Sequence, residues 1–327
     1  RVFFPMWPML TLWLLRGPEY QRQQPRLLRR HSGASRAGPA MDFLRKGERD
    51  DEKHRTLAHA VAVCCAFYGA VLGTGLLADW CLEAALGPLP ELPPAPGSVV
   101  FLLAYWAALL GIRSSFDADG RIAIVYELAW SCTAALVFAA AAAWLRRPAL
   151  LCAAGILVAI DQVLWYVDIL GYLILGKLPL KVCGYLFWPS THLAKKVTGM
   201  HHLFFVPLVV VLCARGCGLP LGRGFLVSAL QTIASQAVCR FSTPLELPPP
   251  PGKDEPRYMN INLCYEAFRD VKVAWIKRYD RARPAVYLPW MLWIWNLGNV
   301  LLFAALASVL LLGLRLCTSL PGAHFIF

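Results

Sequence analysis

Long apolar segments separated by short polar ones dominate the pattern of this chain. Seven of them have roughly the length of a transmembrane helix, because a hydrocarbon core of about 30 Å needs roughly 17–25 helical residues. They cover residues 57–80, 98–113, 122–145, 148–176, 197–214, 223–241 and 286–314. The pattern predicts an all-α fold, a polytopic membrane helix bundle of about seven transmembrane helices.

The connection before the last apolar segment predicts one further helix that lies in the membrane plane. A proline-rich linker, 244–257, leads into residues 258–279. In that stretch the apolar side chains, such as Tyr265 and Trp275, fall on one helical face and the charged ones on the other. An amphipathic helix with a basic polar face is expected to lie flat on the cytosolic leaflet.

The basic residues follow the connections between apolar segments. The net charge is +12, but no single basic patch with interleaved aromatic residues is present, so nucleic acid is not an expected partner. If the N-terminus is cytosolic, 27 of the 32 Lys and Arg residues lie on the cytosolic side. This asymmetry predicts an N-in orientation. The expected location is an endomembrane such as the endoplasmic reticulum, and the expected partners are membrane lipids.

The predicted organisation has a basic N-terminal segment, 1–56, a transmembrane bundle, 57–317, and a short tail, 318–327. Residues 1–40 are rich in Arg and poor in acids, as in a transit peptide. Because Met41 opens an ordinary cytosolic sequence, residues 1–40 are equally consistent with translated leader sequence.

The eleven cysteines do not indicate a disulfide framework or a zinc site. Most of them, such as Cys64 and Cys132, lie inside apolar segments, which favours packed thiols. No CxxC pair, glycine-rich phosphate loop, GxSxG or HExxH motif occurs. No metal ligand is therefore predicted, and no cofactor is identified.

The fourth apolar segment carries acids that lipid cannot hydrate. Asp161, Trp165, Asp168 and Tyr172 are spaced to form one stripe on a helix. An ionised side chain at the centre of a membrane helix costs about 2.5–3.5 kcal/mol on insertion scales. We therefore expect this stripe to face the bundle interior.

With the N-in orientation, further polar groups converge on the cytosolic third of the bilayer. The catalytic candidates are His202, His201, Asp168 and Glu127. The binding candidates are Asp161, Trp165, Tyr172, Gln236, Arg240 and Asn296. On a helix starting at Thr191, His201 would point about 100° away from His202, which predicts that the two imidazoles cannot serve one point.

The histidine pair and its neighbours resemble the TLC-domain membrane lipid enzymes over residues 161–244. The resemblance rests on Tyr166, Asp168, the pair His201-His202 and the stretch Phe241 to Pro244. It implies a histidine that acts as general base on a hydroxyl, amine or water, with Asp168 orienting the imidazole. Ceramide-forming members carry aspartates after the histidines, where this chain has Gln231, Gln236 and Arg240.

Three functions follow from these patterns. The first is a lipid-directed enzyme of acyl transfer or hydrolysis, with a lipid or acyl-thioester substrate. The alternative is a transporter or channel whose cytosolic vestibule is lined by the same acids. The second alternative is a non-catalytic accessory subunit of a membrane complex, in which the polar groups only hold helices together.

Overall fold

The computed structural model describes residues 56–116, 121–187, 191–216, 218–249, 256–267, 269 and 273–318. These residues are mostly helical. The helices are α1 (Leu57–Leu86), α2 (Pro96–Phe116), α3 (Arg121–Glu127), α4 (Ser131–Trp144), α5 (Pro148–Ile156), α6 (Ala159–Leu175), α7 (Leu193–Thr198), α8 (His201–Ala214), α9 (Leu221–Ser242) and α10 (Pro284–Thr318). The predicted segment 1–56, apart from Thr56, and nearly all of the tail 318–327 lie outside the described residues.

Four to six of the predicted crossings are long and apolar enough for a membrane. Four helical stretches satisfy this criterion on their own: α1, α2, Leu193–Ala214 and α10. The bent pairs α3–α4 and α5–α6, with bends of 56° and 52°, satisfy it if each pair counts as one crossing. The all-α membrane bundle is thus supported, whereas the count of seven is not confirmed.

The helix α9 departs from the expected apolar character because its polar residues face inward. Its buried residues include Ser228, Gln231, Thr232, Ser235 and Gln236. Its most exposed large side chains are Leu226, Leu230, Ile233 and Phe241. This distribution is the reverse of that on a water-soluble helix.

Both bent pairs are closed by an asparagine amide. Between α3 and α4, Asn262 donates from Nδ2 to the Ala129 carbonyl and accepts at Oδ1 from the Ser131 N–H, both at 2.7 Å. Between α5 and α6, Asn299 donates to the Leu157 carbonyl at 3.2 Å and accepts from the Ile160 N–H at 2.8 Å. Backbone groups released by a broken helix need such partners when water is absent.

The prediction of one in-plane helix over residues 258–279 is wrong. The segment begins with β2 (Arg257–Tyr258), paired antiparallel with β1 (Glu246–Leu247), and continues as a 3₁₀ turn, Ile261–Leu263. A second 3₁₀ turn covers Ile276–Tyr279. Asn262 lies in the left-handed region at φ 54°, which asparagine tolerates better than most residues. Residues 259–264 are buried, so this part of the segment packs into the bundle instead of forming the exposed face of an in-plane helix.

Small residues let α5 lie at the centre of the helices. All nine of its residues are buried. A Cβ on Gly155 would come within 2.5 Å of the Phe303 ring and 2.9 Å of Val209. Such close backbone approach is a common basis of packing between membrane helices.

Candidate functional site

The candidate site surrounds the first residues of α8, where a short turn separates this helix from α7. It is built from α4, α6, α7 and α8. We call it the histidine cluster and define it by Cys132, Asp161, Gln162, Trp165, His201 and His202.

His201 is held in one tautomer by the chain just before it. Its Nδ1 lies 2.9 Å from the Thr198 carbonyl, which can only accept, so Nδ1 carries the proton. Its Nε2 therefore has a lone pair. This atom is buried and has no hydrogen-bond partner among the described residues. We call it the open nitrogen of His201.

His202 is fixed by a stack and a hydrogen bond. Its ring lies against Trp165 with centroids 4.4 Å apart and planes 16° apart. Its Nδ1 lies 3.0 Å from the amide nitrogen of Gln162. Both imidazoles are buried, His201 at 2% and His202 at 8% exposure, so protein surrounds the pair.

The expectation that the two imidazoles cannot serve one point is wrong. Their ring centroids are 4.2 Å apart. The 100° offset applies to the directions in which two consecutive helical side chains leave the backbone. Both imidazoles start side by side at the beginning of α8, and their rings turn towards each other.

Cys132 on α4 completes the centre of the histidine cluster. One ligand atom from each of Cys132, His201 and His202 lies within 4.8 Å of the other two. Asp161, in the first turn of α6, is half-buried and lies within electrostatic range of Cys132. A thiol, two imidazoles and a carboxylate are thus gathered inside the bundle.

Glu127 joins the histidine cluster indirectly, through an arginine. Its carboxylate pairs with Arg113 at 3.2 Å and with Arg257 at 2.9 Å. Arg113 also donates from Nε to the Thr198 hydroxyl at 2.9 Å. Since the Thr198 carbonyl orients His201, this ion-pair network positions the imidazole.

Asp168 has a different role from the predicted one. Its carboxylate accepts three backbone N–H groups, from Leu180, Lys181 and Cys183, at 2.7, 3.1 and 3.0 Å. It therefore holds the loop after α6, and the polar partner found at His202 Nδ1 is Gln162, not Asp168.

The loop held by Asp168 brings Tyr185 beside the histidine cluster. The Tyr185 ring centroid lies 6.0 Å from that of Trp165, and the Lys195 ammonium lies 5.5 Å from the centroid of Tyr185. Burial raises the pKa of the Tyr185 hydroxyl. Tyr185 is therefore a protonated donor at the edge of the cluster.

The remaining binding candidates lie elsewhere. Tyr172 packs on Phe187 with ring centroids 4.6 Å apart. Gln236 donates to the Asn262 carbonyl at 2.8 Å, and Arg240 donates to the carbonyls of Cys264 and Ala282. Asn296 is half-buried on α10. These contacts fasten loops and helices to each other.

Sequence reasoning missed three residues of the histidine cluster and its support. The apolar pattern predicts that Cys132 is a packed thiol, although it precedes Thr133 in a polar Ser-Cys-Thr triplet that opens α4. Gln162 follows Asp161 directly, and Arg113 ends an apolar segment. Only the Ser-Cys-Thr triplet is a signal that the sequence offered.

Comparison with known proteins adds no assignment, since no family model, curated protein or solved structure matches this chain. The resemblance to TLC-domain enzymes stays a prediction. The function has to be argued from the geometry of the histidine cluster.

Proposed function

We propose that this membrane protein is a lipid-directed enzyme of acyl transfer or hydrolysis whose chemical centre is His201 and His202. The observation that carries the proposal is the open nitrogen of His201 beside the thiol of Cys132. A buried polar atom left unpaired costs about 1–3 kcal/mol. A lone pair in that position can take a proton from a water or hydroxyl, or bind a Lewis acid that activates one.

The charges beside the histidine cluster favour an anionic substrate group. Among the described residues, Arg113, Lys195 and Arg257 all lie within electrostatic range of the single carboxylate of Glu127. These three cations outnumber the two carboxylates near the histidine cluster, Glu127 and Asp161. A lipid phosphate or carboxylate would balance the excess.

A lipid substrate also fits the way in which the bundle meets the membrane. The helix α9, about 33 Å long at 1.5 Å per residue, exposes apolar side chains and buries polar ones, so we count it as a seventh crossing. With the cytosolic N-terminus expected from the basic residues, the histidine cluster lies in the cytosolic half of an endomembrane. A glycosylation acceptor placed within 88–96 should then be modified, and one placed at 253–254 should not; the reverse pattern would overturn the orientation.

A transporter is the second candidate, favoured by Asp161. This acid is half-buried inside the bundle next to Cys132. Carboxyl groups within membrane bundles often mark ion or proton pathways. The enzyme is preferred because a transport pathway explains Asp161 but not the open nitrogen of His201.

Untargeted lipidomics of cells with and without the protein tests the proposal. The wild type should change a specific lipid class, and His202→Gln should reduce that change by at least about 10²-fold, the usual contribution of an acid–base group. His59→Gln, a half-buried histidine on α1, is the matched control and should behave as wild type. An unchanged lipid profile, together with a flux abolished by Asp161→Asn, would refute the enzyme and favour the transporter.

A further inference from the structure

We propose that Cys132, His201 and His202 bind a transition-metal ion of the zinc type, with one coordination position left for water or substrate. This inference deepens the proposed function and rests on it for what the metal would do. The binding itself can be measured without any lipid reaction.

The first support is the composition and spacing of the three groups. One sulfur and two imidazole nitrogens form a ligand set typical of zinc. The three ligand atoms lie within 4.8 Å of one another, so small side-chain rotations bring them to coordination distances of about 2.0–2.3 Å. Three protein ligands with an open fourth position are characteristic of catalytic zinc sites.

The second support is independent of the spacing and comes from His201. Its Nδ1–H is donated to the Thr198 carbonyl, which leaves the lone pair on Nε2. Metal-ligating histidines usually make this second bond to a backbone carbonyl or carboxylate. The open nitrogen is therefore the atom free to act as the ligand, and it is buried in a residue that is 2% exposed. Ordinary packing of a histidine does not explain this atom, whereas a metal ion does.

The third support is the environment of His202. The stack on Trp165 fixes the ring plane, and Gln162 engages Nδ1 at 3.0 Å. Turning the Gln162 amide by 180° exchanges its two end atoms in the same space. Its Oε1, which has no partner within the described part of the chain, then accepts the Nδ1 proton and leaves Nε2 of His202 for the metal.

No metal-binding motif in the sequence marks this site, because its ligands come from separate helices. Cys132 lies on α4, and the two histidines open α8, about 70 residues further along the chain. Only adjacent ligands or short spacings are visible to motif searches. The pairing of α4 with the start of α8 is a tertiary contact.

The experiment measures metal in the full chain, purified in detergent with an affinity tag that contains no histidine. After loading with zinc and dialysis against metal-free buffer, the wild type should retain about one zinc ion per chain by elemental mass spectrometry. Cys132→Ser and His201→Gln should lower the zinc content at least about tenfold. Cys64→Ser and His59→Gln, which change one thiol and one imidazole on α1, should retain it.

Cobalt replaces zinc in a second measurement that needs no variant to fold. The wild type loaded with Co²⁺ should show thiolate-to-cobalt absorption in the near ultraviolet, and competition with zinc should abolish it. A wild type that binds neither metal, or binds both without a thiolate band, overturns the proposal. Equal zinc content in the Cys132→Ser and Cys64→Ser proteins, both monodisperse, also overturns it.

The two proposals fail in different ways. Stoichiometric zinc without any lipid change would remove the proposed function and leave the metal site. A lipid change that requires His202 in a protein without bound metal would remove the metal site and leave the proposed function.

Discussion

The bundle contains two buried polar regions that treat their polar atoms differently. At the α3–α4 break, Asn262 donates to the Ala129 carbonyl and the Ser235 hydroxyl and accepts from the Ser131 N–H, while its own carbonyl accepts from Gln236. The Oε1 atom of Gln236 is a side-chain acceptor of this region without a described partner, whereas the histidine cluster leaves both the open nitrogen of His201 and the Oε1 of Gln162 without one. Both regions are shielded from water. The two regions differ in what is left unpaired: an amide oxygen beside an asparagine whose own groups are bonded, against a basic imidazole nitrogen beside a thiol. We infer that the first region mainly holds the fold and that the second is arranged to bind something else.

The α5–α6 break is also held by an asparagine side chain, which supports a structural role for Asn262. Asn299 bridges a carbonyl and an N–H across the break, as Asn262 does. It comes from the long helix α10 instead of from an irregular segment, and the described residues give its side chain only these two bonds. Two helix breaks are thus closed independently by one kind of side chain.

The largest loss of stability is expected from Asn262→Ala. It leaves the Ala129 carbonyl and the Ser131 N–H buried and unpaired, at about 1–3 kcal/mol each, so the free energy of unfolding should fall by about 2–6 kcal/mol. Thermal or denaturant unfolding of the detergent-solubilised protein measures this loss. His201→Gln is the comparison, because it keeps much of the side-chain volume and puts only one backbone group, the Thr198 carbonyl, at risk, so it should cost less; equal losses in the two variants would contradict the distinction between the regions.

A smaller effect is expected from Asn299→Ala. The two backbone groups that lose their partner are of the same kind, but one of the bonds is long, at 3.2 Å, and no further side chain depends on this asparagine among the described contacts. We expect a loss of about 1–3 kcal/mol, measured in the same unfolding experiment. Asn296→Ala, a half-buried asparagine one turn earlier on α10, is the matched control and should change the unfolding little.

The sequence predicted the helices better than it predicted their interruptions. Length and apolar character locate the four to six candidate crossings that the described residues support, because burial in lipid depends on a local property of the chain. The breaks after Glu127 and Ile156 depend on Asn262 and Asn299, which are remote in sequence. The prediction of a helix over 258–279 fails for the same reason: Asn262 has a non-helical backbone conformation, and its side chain bonds the remote α3–α4 break.

The candidate site was predicted in part. His201, His202 and Trp165 were selected from their positions in apolar segments, and the structure brings them together. Asp168 carries the right chemistry for orienting an imidazole, but the loop at 180–183 takes all of its described hydrogen bonds. Its position within an apolar segment does not distinguish Cys132 from other cysteines of the chain, such as Cys64, and the polar Ser-Cys-Thr triplet alone does not identify a ligand.

A substitution at Gly199 tests whether the packing around His202 is needed for metal binding. A Cβ there would lie 3.1 Å from the Tyr185 hydroxyl and 3.2 Å from the Trp165 ring, so Gly199→Ala should shift the stack that holds His202. We expect a loss of about 1 kcal/mol in unfolding but a clear fall in zinc retention. Gly69→Ala is the control, because no described atom lies within 4 Å of its added Cβ; unchanged zinc retention in Gly199→Ala would show that the stack is not needed.

The smallest effect on stability is expected at Glu266, on the segment that carries Asn262, because its ion pairs depend on pH. This buried carboxylate accepts hydrogen bonds from Arg269, at 3.2 Å, and from Arg281. Burial alone would raise the pKa of Glu266, but the bonds from Arg281, Arg269 and Tyr258 hold it below its ordinary value. A lowered pKa in the folded state means that the carboxylate stabilises the protein fully above the ordinary glutamate value of about 4.3. The stabilisation is lost as the pH falls through the lowered value.

The melting temperature of the wild type should therefore fall between pH 6 and pH 3 by more than that of Glu266→Gln, which cannot ionise. Glu91→Gln, at an exposed carboxylate that pairs with Arg146, should leave the wild-type pH dependence unchanged. If Glu266→Gln kept the full wild-type fall, the acid sensitivity would have to come from another carboxylate. Glu127 would be the next to test, because it pairs with Arg257, which precedes the Asn262 segment, and with Arg113, which bonds Thr198 beside the histidine cluster.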